Sequence, residues 1–283
     1  MKTGIEWDPK NSIDTMETQL EEIRELGYDC VDFQSLADTD SVFYKGGAAA
    51  RRKLASKVRK AAENAGIIIS QTHGPWRWPP RDFTESDRAE RFEKMTTALE
   101  LTAEAGCADM VIHPIMPYGC DQDPEPERFL DMNREFFSRL IAEARKTGVV
   151  VDFENMPMPA LRLASPAQIA DFVREFDTPY FRVCLDTGHS IILKTQPADA
   201  VRQTGNDLLR VLHVHDNNGV SDLHWLPETG VIDWQSFGAA LRETGFDGVF
   251  SLETNVRPDG LDPAELREKR AVLAMTARRL ANG

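Results

Sequence analysis

A chain of 283 residues, 41% hydrophobic and 28% charged, carries enough apolar material for a full globular core, and α/β barrels reach this length undivided. Its formal net charge of −13 sets up a field that repels polyanions, which argues against nucleic acid and anionic membrane as partners. The opening Met1-Lys2-Thr3-Gly4-Ile5-Glu6-Trp7-Asp8 lacks a signal-peptide run, and no later stretch approaches the roughly 20 apolar residues that span a bilayer. Strand-like apolar runs then alternate with segments of helical period. Thr3–Trp7 is followed by Asp8-Pro9-Lys10-Asn11 where a dinucleotide fold would carry G-x-G-x-x-G. Ile13, Met16, Leu20, Ile23 and Leu26 recur at helical spacing up to Gly27. Cys30–Gln34 and Ile67–His73 are the next strands, with Gly66 closing the helix between them. Gly74–Phe83, rich in proline and tryptophan, reads as the longest irregular stretch. Met110–His113 and Val149–Glu154 follow helices ended by Gly106 and Gly148. Ser165-Pro166 caps a helix ahead of Phe181–Asp186. Val211–His215 precedes a helix from Trp234 to Gly245, Val249–Glu253 follows, and Asp262-Pro263 starts the last helix.

Eight strands, each followed by a helix, is the count that closes a parallel barrel; an open doubly wound sheet usually has fewer. The expected fold is therefore α/β, a (β/α)8 TIM barrel, with residues 1–283 as one domain because no linker or composition shift interrupts them. Cys30, Cys107, Cys120 and Cys184 form no C-x-x-C pair, which fits reduced thiols in a cytoplasmic protein.

The histidines and lone acids fall at the strand ends. His73, His113, His189, His213 and His215 lie in or just past a strand terminus, and His224 follows in the loop after the seventh strand. Glu154, Asp186 and Glu253 end three others. Strand ends on one rim of a barrel converge on one pocket. Several carboxylates there need a compensating cation, or their pKa values rise and they protonate. Mixed carboxylate and imidazole ligands suit a divalent ion such as manganese, zinc, magnesium or cobalt. Asp222-Leu223-His224 puts two polar side chains on one side of an extended segment, fit to clamp a second ion or a substrate hydroxyl, or simply solvated. His213 and His215 share a strand face. His215 contacts substrate or supports a neighbour. Trp234 is expected between helix and barrel, whereas Trp7, Trp76 and Trp78 are candidates for an apolar pocket wall beside a sugar.

In order and spacing, Val-Asp-Phe-Glu-Asn, Cys-Leu-Asp-Thr-Gly-His, Leu-His-Val-His-Asp-Asn, Asp-Leu-His, Ile-Asp-Trp and Ser-Leu-Glu-Thr, between Val151 and Asn255, resemble the xylose-isomerase-like TIM barrels. That superfamily includes sugar phosphate isomerases and epimerases, ketose 3-epimerases and endonuclease IV. The resemblance implies that Glu154, Asp186, His213 and Glu253 hold a central metal, with Glu154 and Glu253 also exchanging a proton as base and acid. It implies that His189 contacts substrate, and that His73, His113, Asp222 and His224 occupy positions that bind further zinc ions in endonuclease IV. Pro227-Glu228-Thr229-Gly230 stands where relatives often read Pro-Gly-Glu-Gly, so the loop beside the pocket is altered. The expected function is metal-dependent isomerisation or epimerisation of a keto-sugar or sugar phosphate. The rivals are a multi-zinc phosphodiesterase, which the acidic balance and the scarcity of basic residues after the strands oppose, a lyase on an oxidised glycoside, and a non-catalytic sugar-binding barrel. The expected partner is a small sugar, with no nucleic acid or membrane, and the chain acts alone or as a homo-oligomer.

Overall fold

The computed structural model describes residues 1–9 and 12–283; Lys10 and Asn11, in the segment after the first strand, lie outside the described residues. All eight strand-like runs form strands: β1 Lys2–Trp7, β2 Cys30–Phe33, β3 Ile68–His73, β4 Asp109–Ile112, β5 Val150–Glu154, β6 Phe181–Asp186, β7 Leu209–His213 and β8 Val249–Leu252. They pair in parallel in the order β7-β6-β5-β4-β3-β2-β1-β8. Val214 closes the ring against β8: its N–H donates to Ser251 O at 2.9 Å, and Glu253 N–H donates to Val214 O at 3.1 Å. The chain is thus a TIM barrel.

The helices are α1 Met16–Leu26, α2 Ala48–Ala65, α3 Glu85–Glu104, α4 Pro126–Thr147, α5 Pro166–Arg174, α6 Thr187–Ile192, α7 Pro197–Thr204, α8 Trp234–Thr244 and α9 Pro263–Asn282. Ser165 and Asp262 form the expected caps, each completed by the side chain three residues on, Gln168 and Glu265. Among the described residues, no helix is long and apolar enough to cross a membrane.

Alternation along the strands sorts side chains between two environments. Val31, Phe33, Phe153, Phe181 and Phe250 are buried in the cores between strands and helices, where α4 contributes Phe137 and α8 contributes Phe237. The opposite parity points into the barrel and is largely polar. Asp32, Gln71 and Asp152 are fully buried there, beside a small apolar cluster of Val111, Cys184 and Val211. At the N-terminal end, Arg210 grips Asp109 through two contacts of 2.6 and 3.2 Å.

One sequence expectation is corrected. Residues 214–233, between β7 and α8, exceed Gly74–Phe83 as the longest run without helix or strand. Asp216 organises that run: its carboxylate accepts from the N–H groups of Asn217, Gly230 and Val231 and from Trp234 Nε1, at 2.9 to 3.0 Å. A Cβ on Gly230 would lie 2.1 Å from Asn217 O and 2.2 Å from Asp216 Oδ1. The altered Pro227–Gly230 loop therefore keeps glycine where no side chain fits.

Candidate metal centre and active site

Glu154 ends β5, Asp186 ends β6, His213 ends β7 and Glu253 follows β8. The ring thereby places their donor atoms within 4.8 Å of one another, a group able to hold an ion. His213 Nδ1 stands 3.1 Å from Glu154 Oε1 and 3.3 Å from Glu253 Oε2. Asp186 caps α6, accepting from His189 N–H at 2.6 Å through one oxygen and facing His215 Nε2 at 3.0 Å through the other. Asn155 locks the Asp186 backbone: its Oδ1 accepts from Asp186 N–H at 2.8 Å, and its Nδ2 donates to Asp186 O at 3.0 Å. Glu253 Oε2 is buried with no hydrogen-bond partner, and three carboxylates share the pocket. An unpartnered buried carboxylate oxygen costs free energy unless a cation or a proton joins it, so this donor set fits a divalent ion.

Among the described residues, three further groups of donors adjoin the centre: one joins Cys184 to Glu154 and His213, and the other two flank it. On one side, His113 Nε2 lies 2.8 Å from Glu154 Oε2 and 3.3 Å from His73 Nε2. On the other, Asp222 stands 3.2 Å from His189 Nε2 and 3.4 Å from His224 Nε2, and His215 stacks on His224 with ring centroids 4.0 Å apart. Backbone carbonyls, which only accept, fix three tautomers: the Nδ1–H groups of His73, His189 and His224 donate to the carbonyls of Gly74, Asn155 and Glu253 at 2.7 to 2.8 Å. In the neutral form of each ring the Nε2 lone pair is thereby turned into the pocket. His224 does this at a φ of +46°, a strained backbone for a non-glycine residue and a frequent mark of functional positions.

The electrostatics follow from burial and charge. Burial raises the Glu154 carboxyl, but His213 and His113 outweigh it and hold the group well below the usual carboxylate range. Burial pushes Glu253 well above that range. Burial opposes charge on His213, yet Cys184, Glu253, Glu154 and a hydrogen bond to Asp32 raise it well above an ordinary imidazole. Burial, helped by the neighbouring His73 and His189, pushes His113 down to about 4 against the opposing pull of Glu154.

A family model, the xylose isomerase-like TIM barrel, matches residues 20–276. The chain belongs to that family. Among its curated relatives are an uncharacterised protein of Methanocaldococcus jannaschii, 27% identical over 66% of each chain, and a D-psicose 3-epimerase of Enterocloster bolteae, 33% identical over 34% of this chain and 30% of that one. A 3-dehydroshikimate dehydratase of Pseudomonas putida is 27% identical over 91% of this chain and 38% of its own. The chain thus spans about two thirds of the first relative's length and about a third of the other two. In fold it is similar to the D-psicose 3-epimerase of Clostridium cellulolyticum H10 solved with D-tagatose, with a TM-score of 0.78, 17% identity and 99% of both chains covered. It is also similar to the IOLI protein solved with a zinc atom, with a TM-score of 0.74, 16% identity, 100% of this chain and 98% of that one covered.

Within this family barrel the tryptophans divide. Trp76 borders the site, its ring edge-on to His113 at 4.3 Å. Trp78 lies farther out on the rim, 65% exposed. Trp7 is not a pocket wall: it packs against Phe33 on the helix side of the sheet and donates Nε1–H to Gln19 at 3.0 Å. Nor is the rim as poor in cations as the sequence suggests, because Arg77, Arg81 and Lys94 line a cavity of about 590 Å³ beside Trp76, where Asp38, Asp40 and Glu90 offset them. Sequence reading missed Glu6, which lies among His224, Asp32, His213 and His215; an acid at the end of β1 was the available signal. It also missed Asp32 and Asn155, which touch His213 and Asp186 rather than end strands.

Proposed function

We propose that the chain is a metal-dependent enzyme that isomerises or epimerises a keto-sugar or sugar phosphate by moving a proton next to a carbonyl. The observation that carries this reading is the convergence of Glu154 and the partly buried Glu253 on one donor group with the buried Asp186 and His213. Membership of a family whose relatives include a sugar epimerase supports it. A divalent ion held by these four residues, whether manganese, zinc, magnesium or cobalt, supplies positive charge that stabilises electron density arriving on the substrate carbonyl; a zinc-bearing structure of similar fold is in keeping with such a cofactor. Glu154 and Glu253 serve as the base and acid that remove and return the carbon-bound proton. His189, His113, His73, His215, Asp222 and His224 direct polar atoms at substrate hydroxyls, and Trp76 supplies an apolar wall for a sugar ring.

Two readings share this machinery. The flanking ligand groups favour a multi-metal phosphodiesterase as the second reading, because they offer places for further ions. A lyase would remove the same proton and then expel a neighbouring substituent, and the dehydratase relative keeps that outcome within the test. The test is a keto-sugar panel run with variants. Asp186→Ala should lose the bound metal, because one anionic ligand is gone and the remaining donors are unbalanced. Glu253→Gln should lose turnover on the order of a hundredfold or more, with metal content measured on the same sample. Unchanged metal in Asp186→Ala would remove the assignment.

A further inference from the structure

The interior of the barrel holds a chain of hydrogen bonds that ends on a proposed metal ligand, and its backbone carbonyl fixes which groups donate. Leu212 O is a carbonyl and accepts only, so the group facing it at 3.3 Å must be the amide NH2 of Gln71. That same NH2 lies 3.1 Å from Asp32 Oδ2, and the NH2 of Gln34 reaches the same oxygen at 2.8 Å. Asp32 Oδ2 is therefore an acceptor. His213 Nε2 stands 3.1 Å from it, and only an Nε2–H can donate there. With the Nε2 hydrogen held on Asp32, the proton that a bound ion displaces is the one on Nδ1, and Nδ1 then offers its lone pair. Nδ1 is the atom that faces Glu154 and Glu253.

We infer that Asp32 is a positioning residue which fixes the tautomer and ring plane of His213, so that Nδ1 is presented to the central metal. This inference rests on the reading of Glu154, Asp186, His213 and Glu253 as the ligand group. His213 differs from His73, His189 and His224, whose rings are set by backbone carbonyls on Nδ1, in being held by a side chain on Nε2. The supports come from the opposite wall of the ring. Asp32 is on β2 and Gln71 on β3, while His213 is on β7, and all three are fully buried. Gln71 spans the interior because its amide donates both to Asp32 and to the backbone of Leu212, the residue before the ligand. A carboxylate behind a ligating imidazole orients the ring and raises its donor strength, and loss of such a partner typically weakens metal binding by about 10- to 100-fold.

The test uses the full-length protein loaded with zinc, a diamagnetic probe, and reads zinc affinity by competition with a chelator. Asp32→Ala should weaken zinc about 10- to 100-fold. Asp32→Asn, which keeps an acceptor oxygen but loses the charge, should fall between Asp32→Ala and wild type. Gln71→Leu should weaken zinc by less than Asp32→Ala. Long-range 15N spectra of wild-type zinc protein read the tautomer directly and do not depend on a variant folding: His213 should show a protonated Nε2 and a metal-bound Nδ1. Zinc lost from His213→Ala but held by folded Asp32→Ala, or an Nε2 without its proton in wild type, overturns the inference alone. Zinc held at wild-type affinity by His213→Ala overturns the ligand reading as well, and the two failures are thereby told apart.

Discussion

His213 and Glu253 carry opposite formal chemistry, yet both are pushed toward their protonated forms in the metal-free chain, Glu253 by burial and His213 by the acidic groups around it. A metal takes only the unprotonated donors. Ion uptake near neutral pH should therefore expel about two protons. Because both groups sit above their usual ranges, affinity should keep rising as pH climbs from acid through neutrality. Calorimetric titration with zinc in two buffers of different ionisation enthalpy reads the proton count, and uptake at pH 7 without proton release would contradict the assignment. The proposed ligands were legible in the sequence because each is a polar residue that terminates an apolar run. Asp32 was not. An acid inside Cys30-Val31-Asp32-Phe33 reads as one alternation of a strand, and only ring closure brings β2 within reach of β7.

At the scale of elements, the strands and caps were read nearly to the residue, since alternation, N-cap residues and terminal glycines are local signals. Gly27, Gly66, Gly148 and Gly245 end α1, α2, α4 and α8 in the left-handed conformation. The organisation of residues 214–233 was not legible, because it depends on one carboxylate, Asp216, gathering N–H groups scattered along the loop. A second non-local constraint lies in α6. A Cβ at Gly188 would stand 2.0 Å from Cε1 of His215, and that ring is fully buried against Asp186. Gly188→Ala must displace the imidazole. Turnover should fall at least tenfold while the circular dichroism of the barrel is unchanged. Full activity in this variant would show that the position of His215 does not matter.

Across the whole molecule, the net charge of −13 works against the phosphodiesterase reading even though the flanking ligand groups would permit it. Basic side chains near Trp76 are matched by acids in the same cavity, so no broad cationic track is provided for a phosphate backbone. Duplex DNA with an abasic site should not bind at physiological salt, as read by fluorescence anisotropy. Incision of that duplex, lost in Glu154→Gln, would reverse the ranking of the two readings.

Movement of a carbon-bound proton by two glutamates beside a metal is the proposed chemistry. It is tested most directly by turning over the active keto-sugar in heavy water and locating deuterium by NMR. Solvent exchange through Glu154 or Glu253 should place deuterium on the carbon next to the carbonyl, in product and in recovered substrate, and Glu253→Gln should suppress it in both. Product formed with its original hydrogen transferred intact and no solvent deuterium would mean a hydride shift. The glutamates would then be ligands and not the acid and base.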